Sequence, residues 1–188
     1  MSNSVEEQLY DAVHDGRVSE VSSLLRDHPE ISVNSQDNTQ WTPLSAASIN
    51  GHAEVVKLLL AHPDINVNLK DNVGQTPFSL CCERGHVSVV QVLLKDPRVD
   101  VTLDDDRGRT PLWYASYYGK HEVIEWLIAS GRDLGDIENK KVQELGGGED
   151  YTALEIAREF KNKTEVVSVL ERFIANPTLT CHELRVKL

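Results

Sequence analysis

One short phrase recurs in this chain at a fixed distance, and it constrains the fold more than any other feature. Trp41-Thr-Pro-Leu44, Gln75-Thr-Pro-Phe78 and Arg109-Thr-Pro-Leu112 align without gaps, with their threonines at 42, 76 and 110, a period of 34. Seven residues after each Leu or Phe stands a glycine: Gly51, Gly85 or Gly119. Apolar runs follow: Val55-Val56 with Leu58 to Leu60, Val89-Val90 with Val92 to Leu94, and Val123-Ile124 with Trp126 to Ile128. A period of this size marks stacked supersecondary units, none of which can bury its apolar face alone. Two weaker copies flank the three. Leu9, Ala12 and Gly16 match Leu44, Ala47 and Gly51 at an offset of 35, and Val21, Leu24 and Leu25 continue the match. Thr152-Ala-Leu154 and Ala157 match Thr42-Pro-Leu44 and Ala47, and Glu165-Val-Val matches Glu54-Val-Val. Thr110 to Thr152 spans 42, so the last unit follows an insertion of 8.

The residues of one unit predict its shape. Thr caps a first helix through its hydroxyl, and Pro sits at the first helical position, where its missing N–H costs nothing. The glycine supplies a left-handed C-cap, with Asn162 in its place in the last unit. The second helix carries apolar residues on one face and stops before Pro29, Pro63 or Pro97. The alternating runs Ile31-Ser-Val33-Asn, Ile65-Asn-Val67-Asn and Val99-Asp-Val101-Thr read as extended limbs of hairpins. Asp37-Asn38, Asp71-Asn72 with Gly74, and Asp105-Asp106 with Gly108 read as their turns.

These motifs resemble the ankyrin repeat, whose signature is Thr-Pro-Leu-His-x-Ala on a period of about 33. Here they read Thr42-Pro-Leu-Ser-Ala-Ala47, Thr76-Pro-Phe-Ser-Leu-Cys81 and Thr110-Pro-Leu-Trp-Tyr-Ala115. Ser45, Ser79 and Trp113 replace the family's histidine, and His-Pro or Asp-Pro replaces its Gly-Ala after three second helices. The resemblance implies an all-α solenoid of helix pairs with hairpin fingers, and a concave side of first helices and fingertips that binds other proteins. It implies five units, about 6–38, 39–72, 73–106, 107–150 and 151–175, in one domain over 1–177 with a tail at 178–188. The ends are expected to be polar, as an open stack requires. Asp11 stands where the other units have Ala46, Leu80, Tyr114 and Ile156, and Arg158, Glu159, Lys161 and Lys163 load the last unit. Ser4-Val-Glu-Glu7 reads as a capping box opening the first helix, and Thr180-Cys-His-Glu183 as one opening a short tail helix.

Catalytic and metal motifs are weak. His121-Glu-Val-Ile-Glu125 and His182-Glu-Leu-Arg-Val186 lack the second His of a zincin, and Gly119-Lys120 lacks the glycine of a phosphate loop. No Gly-x-Ser-x-Gly is present. Cys81 aligns with Ala47 and Ala115, the pattern of a small core residue, and Asp104-Asp-Asp106 is better explained by turn chemistry than by calcium. The histidines recur at one place per unit, which argues for structure. The expectation is a non-enzymatic protein with no cofactor and no metal. Counting 19 Lys and Arg against 30 Asp and Glu gives a net charge of −11, which disfavours nucleic acid and anionic membrane as partners. Three cysteines, two of them adjacent, do not make a disulfide framework and suit a reducing, cytoplasmic setting.

The remaining expectation is a protein partner, met by a monomer acting as an interaction module or adaptor. Of 11 aromatic residues, Trp41, Trp113, Tyr117, Tyr118 and Tyr151 fall on the first helices and fingertips, with Arg84, Arg107 and Arg109 beside them. Trp, Tyr and Arg are enriched at binding hot spots. The three arginines predict a local positive spot and a partner with an acidic or mixed surface. Two other readings are a spacer arm in a larger assembly, and a small-ligand or enzyme site at Tyr117, Tyr118 and Arg84, which no paired base and nucleophile supports. The long finger, Gly135 to Asp150, is expected to be mobile, because Gly146-Gly-Gly148 carries high backbone entropy.

Overall fold

A computed structural model describes residues 4–138, 142–143, 150–159 and 164–188. Ten helices form five successive pairs: α1 (Val5–His14) with α2 (Val18–Asp27), α3 (Pro43–Ile49) with α4 (Ala53–Leu60), α5 (Pro77–Arg84) with α6 (Val87–Leu94), α7 (Pro111–Tyr117) with α8 (His121–Ser130), and α9 (Ala153–Glu159) with α10 (Thr164–Ala175). Strands β1 (Val142–Gln143) and β2 (Asp150–Tyr151) lie between α8 and α9, and α11 (Pro177–Lys187) closes the chain. The first helices pack in a row, α1 on α3, α5, α7 and α9 in turn. The second helices make a parallel row, α2 through α10, and α11 folds back onto α8 and α10. The core runs unbroken between the two rows, from Leu9 and Val21 to Val166 and Leu170.

The expected caps are in place. Thr42, Thr76 and Thr110 accept from the amides of Ser45, Ser79 and Trp113 at 3.1, 3.2 and 3.2 Å, with Pro at the first helical position each time. The hydroxyls of Ser45 and Ser79 pair with those same threonines at 3.0 and 3.1 Å, so they act within a unit. Other histidines bond across units. His52 Nε2 lies 3.0 Å from His14 O, and His86 Nε2 lies 2.8 Å from Ile49 O. Each imidazole sits against the left-handed glycine of the unit before it, Gly16 or Gly51, where a Cβ would strike the ring. The repeated histidines are therefore structural, as their spacing implied.

Two expectations need correction. The runs at 31–34, 65–68 and 99–102 form turns, and the described strands are β1 and β2 alone. Val33, Val67 and Val101 point into the core, and asparagine side chains replace the ladder. Asn34 Nδ2 donates to Asp64 O at 2.7 Å while its Oδ1 accepts from Asn66 N at 2.9 Å. Asn68 does the same one unit later, with Arg98 O at 2.8 Å and Asp100 N at 3.0 Å. One amide thus satisfies both a carbonyl and an N–H of the next unit, the two needs a paired strand would meet. The tail is a helix, but Asn176 caps it, accepting from Leu179 N at 3.1 Å. Thr180 is buried inside that helix, its hydroxyl 2.9 Å from both Arg172 O and Asn176 O. The long finger is docked at its base, since Val142 pairs with Tyr151 and is buried against Trp113, Tyr114 and Ile156. Gly146 to Gly148 lie outside the described residues, as do Lys161, Asn162 and Lys163.

The ends follow the solenoid logic. Ser4 and Glu7 make the expected reciprocal cap, at 3.0 and 3.2 Å. Asp11 faces water where Ala46, Leu80, Tyr114 and Ile156 are buried.

Candidate functional site

The aromatic residues of α7 form a tier that starts in the core and ends at the surface. Trp113 is buried, and Tyr117 stacks on it with ring centres 5.1 Å apart and planes 9° apart. Tyr118 meets Tyr117 edge-on at 4.9 Å and is 41% exposed. The spacing explains the order. Residues 113 and 117 are four apart and share a helix face, while 118 turns outward at the C-cap. Burial raises the Tyr118 phenol above its ordinary pKa, and the nearby Glu83 carboxylate adds to that, so it is a neutral donor at physiological pH.

Tyr118 borders an open groove of about 480 Å³ between the turns at 71–75 and 105–109. Asn72, Val73 and Asp106 form its outer lip, with Val73 47% exposed. Gln75, Tyr114 and Arg109 line it further in, and Gln75 Nε2 donates to Glu83 at 2.8 Å. The two turns are joined by Asp106 N donating to Val73 O at 3.2 Å. This setting suits a ligand that offers an apolar side chain to Tyr118 and Val73 and backbone groups to the polar lip.

The structure divides the eight residues singled out in the sequence. Tyr118, Arg107 and Arg84 are exposed, and Tyr117 is half-buried beneath Tyr118. Arg109 and Trp113 are not surface contacts. Arg109 is buried, its Nε and Nη2 each 2.8 Å from Asp105 Oδ2, and its guanidinium lies 5.7 Å from the Trp113 ring centre and 5.3 Å from that of Tyr114. Asp105 also accepts from the Tyr114 hydroxyl at 2.7 Å, which with burial holds that phenol well above its ordinary pKa. The four residues form a buried brace under the groove. Trp41 is half-buried and donates from Nε1 to Asp71 at 3.2 Å, tying two neighbouring turns. Tyr151 lies on β2, packed with Tyr117 on the Trp113 cluster.

The arginines expected to make a positive spot are accompanied by carboxylates. Asp105 neutralises Arg109, Glu83 lies 3.7 Å from Arg84, and Asp106 stands beside Arg107 on the lip. The groove is lined by two cations, Arg107 and Arg109, and two carboxylates, Glu83 and Asp106. Sequence reasoning missed Glu83 and Val73, because nothing in the sequence shows that a helix end and a turn line the same groove.

A family model described as Ankyrin repeats (3 copies) matches residues 6–71 and 64–140. The chain belongs to the ankyrin-repeat family. No curated protein matches it. The ankyrin-repeat match ends short of α9, α10 and α11, so the groove lies within it and the packed tail beyond it. Ankyrin repeats are in general protein–protein interaction modules, and they are typically non-enzymatic. Among the described residues no helix is long and apolar enough to cross a membrane.

Proposed function

We propose that this ankyrin-repeat protein is a non-enzymatic adaptor that binds a partner protein in the groove between its second and third turns, at 71–75 and 105–109. The observation that carries this reading is Tyr118: a large side chain, exposed at the mouth of the groove, set edge-on against Tyr117, which in turn stacks on the buried Trp113. A pre-ordered aromatic offers contact area at little entropic cost, and its phenol still forms hydrogen bonds. Arg107 on the lip supplies a charged rim contact, while the Asp105–Arg109–Tyr114 brace holds the 105–109 turn and Asp106 N, donating to Val73 O, ties it to the 71–75 turn. The partner surface that fits is mixed in charge, with an apolar side chain at its centre. Free thiols at Cys81, Cys82 and Cys181 support a reducing, cytoplasmic setting. Burial pushes the Cys82 thiol well up, which keeps it unreactive.

The test compares wild type with Tyr118→Ala and Arg107→Glu together in quantitative capture from native extract, followed by titration of the captured protein. Truncating a central aromatic anchor and reversing a rim charge should weaken binding by about 3 kcal/mol and leave the melting midpoint unchanged. Equal affinity in both proteins would place the interface elsewhere.

A further inference from the structure

The second-helix row contains one groove twice, once covered and once open. Where α8 and α10 run side by side, α11 fills it. Lys187 Nζ lies 2.6 and 2.8 Å from the Glu125 carboxylate, Cys181 Sγ lies 3.1 Å from Ile128 O, and Arg185 Nε donates to Ala129 O at 2.6 Å. On the other side Arg172 of α10 pairs with Glu183, and Leu184 is buried between the two helices. Two periods earlier, at an offset of 68, Glu125, Ile128 and Ala129 correspond to Lys57, Leu60 and Ala61 of α4. The match of Glu165-Val-Val to Glu54-Val-Val carries Arg172 onto Ala61 in unit two, and one period of 34 later onto Lys95 at the end of α6. Lys57, Leu60, Ala61, Val92 and Lys95 line an open groove of about 580 Å³ between the ends of α4 and α6. Arg98 crosses it, donating to Leu60 O at 2.8 Å.

The two copies differ in charge. The covered groove presents a carboxylate, Glu125, to a lysine of α11. The open one has Lys57 at that place, and three cations against one carboxylate, Asp96, in a chain of net charge −11. Lys57 pairs with Glu54 at 2.7 Å, but both are well exposed and the pair is worth little. Asp96 is engaged by Arg98 at 2.6 Å, which leaves the two lysines to set the sign of the rim. We propose that this second groove docks an acidic amphipathic helix of a partner protein, seated on α4 and α6 as α11 is seated on α8 and α10, with the charge reversed at the place of Lys57 and kept at that of Lys95. The partner helix carries one carboxylate facing Lys95, where Glu183 faces Arg172, and another facing Lys57, where Lys187 faces Glu125. Those positions are four residues apart and share one face of a helix. An apolar residue between them meets Leu60 and Val92 as Leu184 meets the core. The tail of a second copy does not fit, because its Lys187 would face Lys57.

The probe is a synthetic peptide of residues 177–188 carrying Arg185→Ala and Lys187→Glu, added to the full-length, isotope-labelled protein and followed by amide chemical shifts. Saturable shifts are expected at Leu60, Ala61, Val92 and Lys95, with affinity falling about tenfold in the Lys57→Glu, Lys95→Glu protein. The unaltered 177–188 peptide should bind there about fivefold more weakly. So should the probe with Gln at both acidic positions, a comparison that needs no change in the protein. Three results would overturn the proposal: affinity within twofold across these comparisons, shifts confined to α8 and α10 through exchange with the protein's own tail, or shifts around Tyr118 instead.

Discussion

The turns at 37–41 and 105–109 are built alike and sit in different media. Each opens on an aspartate whose N–H donates to the carbonyl four residues on, at 3.0 Å in both. Each carboxylate Oδ1 accepts from the amides two and four residues ahead, at 2.8 and 2.9 Å for Asp37 and at 2.9 and 2.8 Å for Asp105. Each Oδ2 accepts from a tyrosine, Tyr10 at 2.9 Å or Tyr114 at 2.7 Å. Yet Asp37 is exposed at the end of the stack, whereas the Asp105 side chain is fully buried and also holds Arg109. The local bonds are repeated by the sequence; what each is worth depends on whether water can replace it. A third difference is conformational. The left-handed place before the last turn residue is Gly74 and Gly108 in later units, but Gln40, at φ 61°, in the first.

Removing the aspartate tests the comparison most strongly. Asp105→Ala leaves the Arg109 guanidinium buried without its partner, so it should lower unfolding free energy by about 3–5 kcal/mol, measured by urea titration. Asp37→Ala removes the same local bonds in water and should cost about 1 kcal/mol. Equal losses would show that burial does not set the difference.

Tyr114→Phe should cost about 1.5–3 kcal/mol, because it takes one hydrogen bond from a buried charged acceptor. The matching change in the first unit, Tyr10→Phe, should stay within about 0.5 kcal/mol. Both are read from denaturant midpoints at constant slope. Gln40→Gly should act in the opposite direction and stabilise the protein by about 0.5–1 kcal/mol, since it relieves a left-handed residue that bears a Cβ. No gain would mean that Gln40 is held there by contacts glycine cannot make.

The smallest effect expected is on pH dependence. Burial pushes the Asp37 carboxyl up, but hydrogen bonds from Thr39, Trp41 and Tyr10 outweigh it and leave the group below the usual carboxylate range. A carboxyl depressed in the folded state contributes stability above its unfolded pKa of about 4, and that contribution is lost as pH falls through the folded value. Asp37→Asn should therefore flatten slightly the decline of melting midpoint below about pH 4. An unchanged acid limb would assign the decline to other carboxyls, of which Asp96 is also lowered, by Arg98.

Most of the architecture was legible because its determinants are local. Thr-Pro fixes a helix start, glycine a left-handed stop and proline a limit, each acting within a few residues, and the period repeats them until no other fold remains. The hairpin limbs were misread for the same reason. Alternation in Ile31 to Asn34 and its copies signals one buried side, which a strand or a turn can satisfy, and Asn34 and Asn68 decide for the turn by bonding across 30 to 32 residues. At the groove, residue types singled out Tyr118 and Arg107 correctly as surface. They misplaced Arg109 and Trp113, because an arginine and a tryptophan read the same in sequence whether they face water or a buried carboxylate and a ring.

By itself, then, the sequence determined the stack: its period, its helix pairs, its capped first helix and its polar ends. Tertiary structure alone decided which copies of a repeated position matter. Asp37 and Asp105 share a motif, but only the packing of α7 removes one of them from water. Lys57 and Glu125 share a register, but only the return of α11 across 53 to 62 residues covers one groove and leaves the other open. The reason is physical. Hydrogen-bonding patterns of the backbone depend on near neighbours, while burial, and with it the strength of every charge and hydrogen bond, depends on which distant segments arrive.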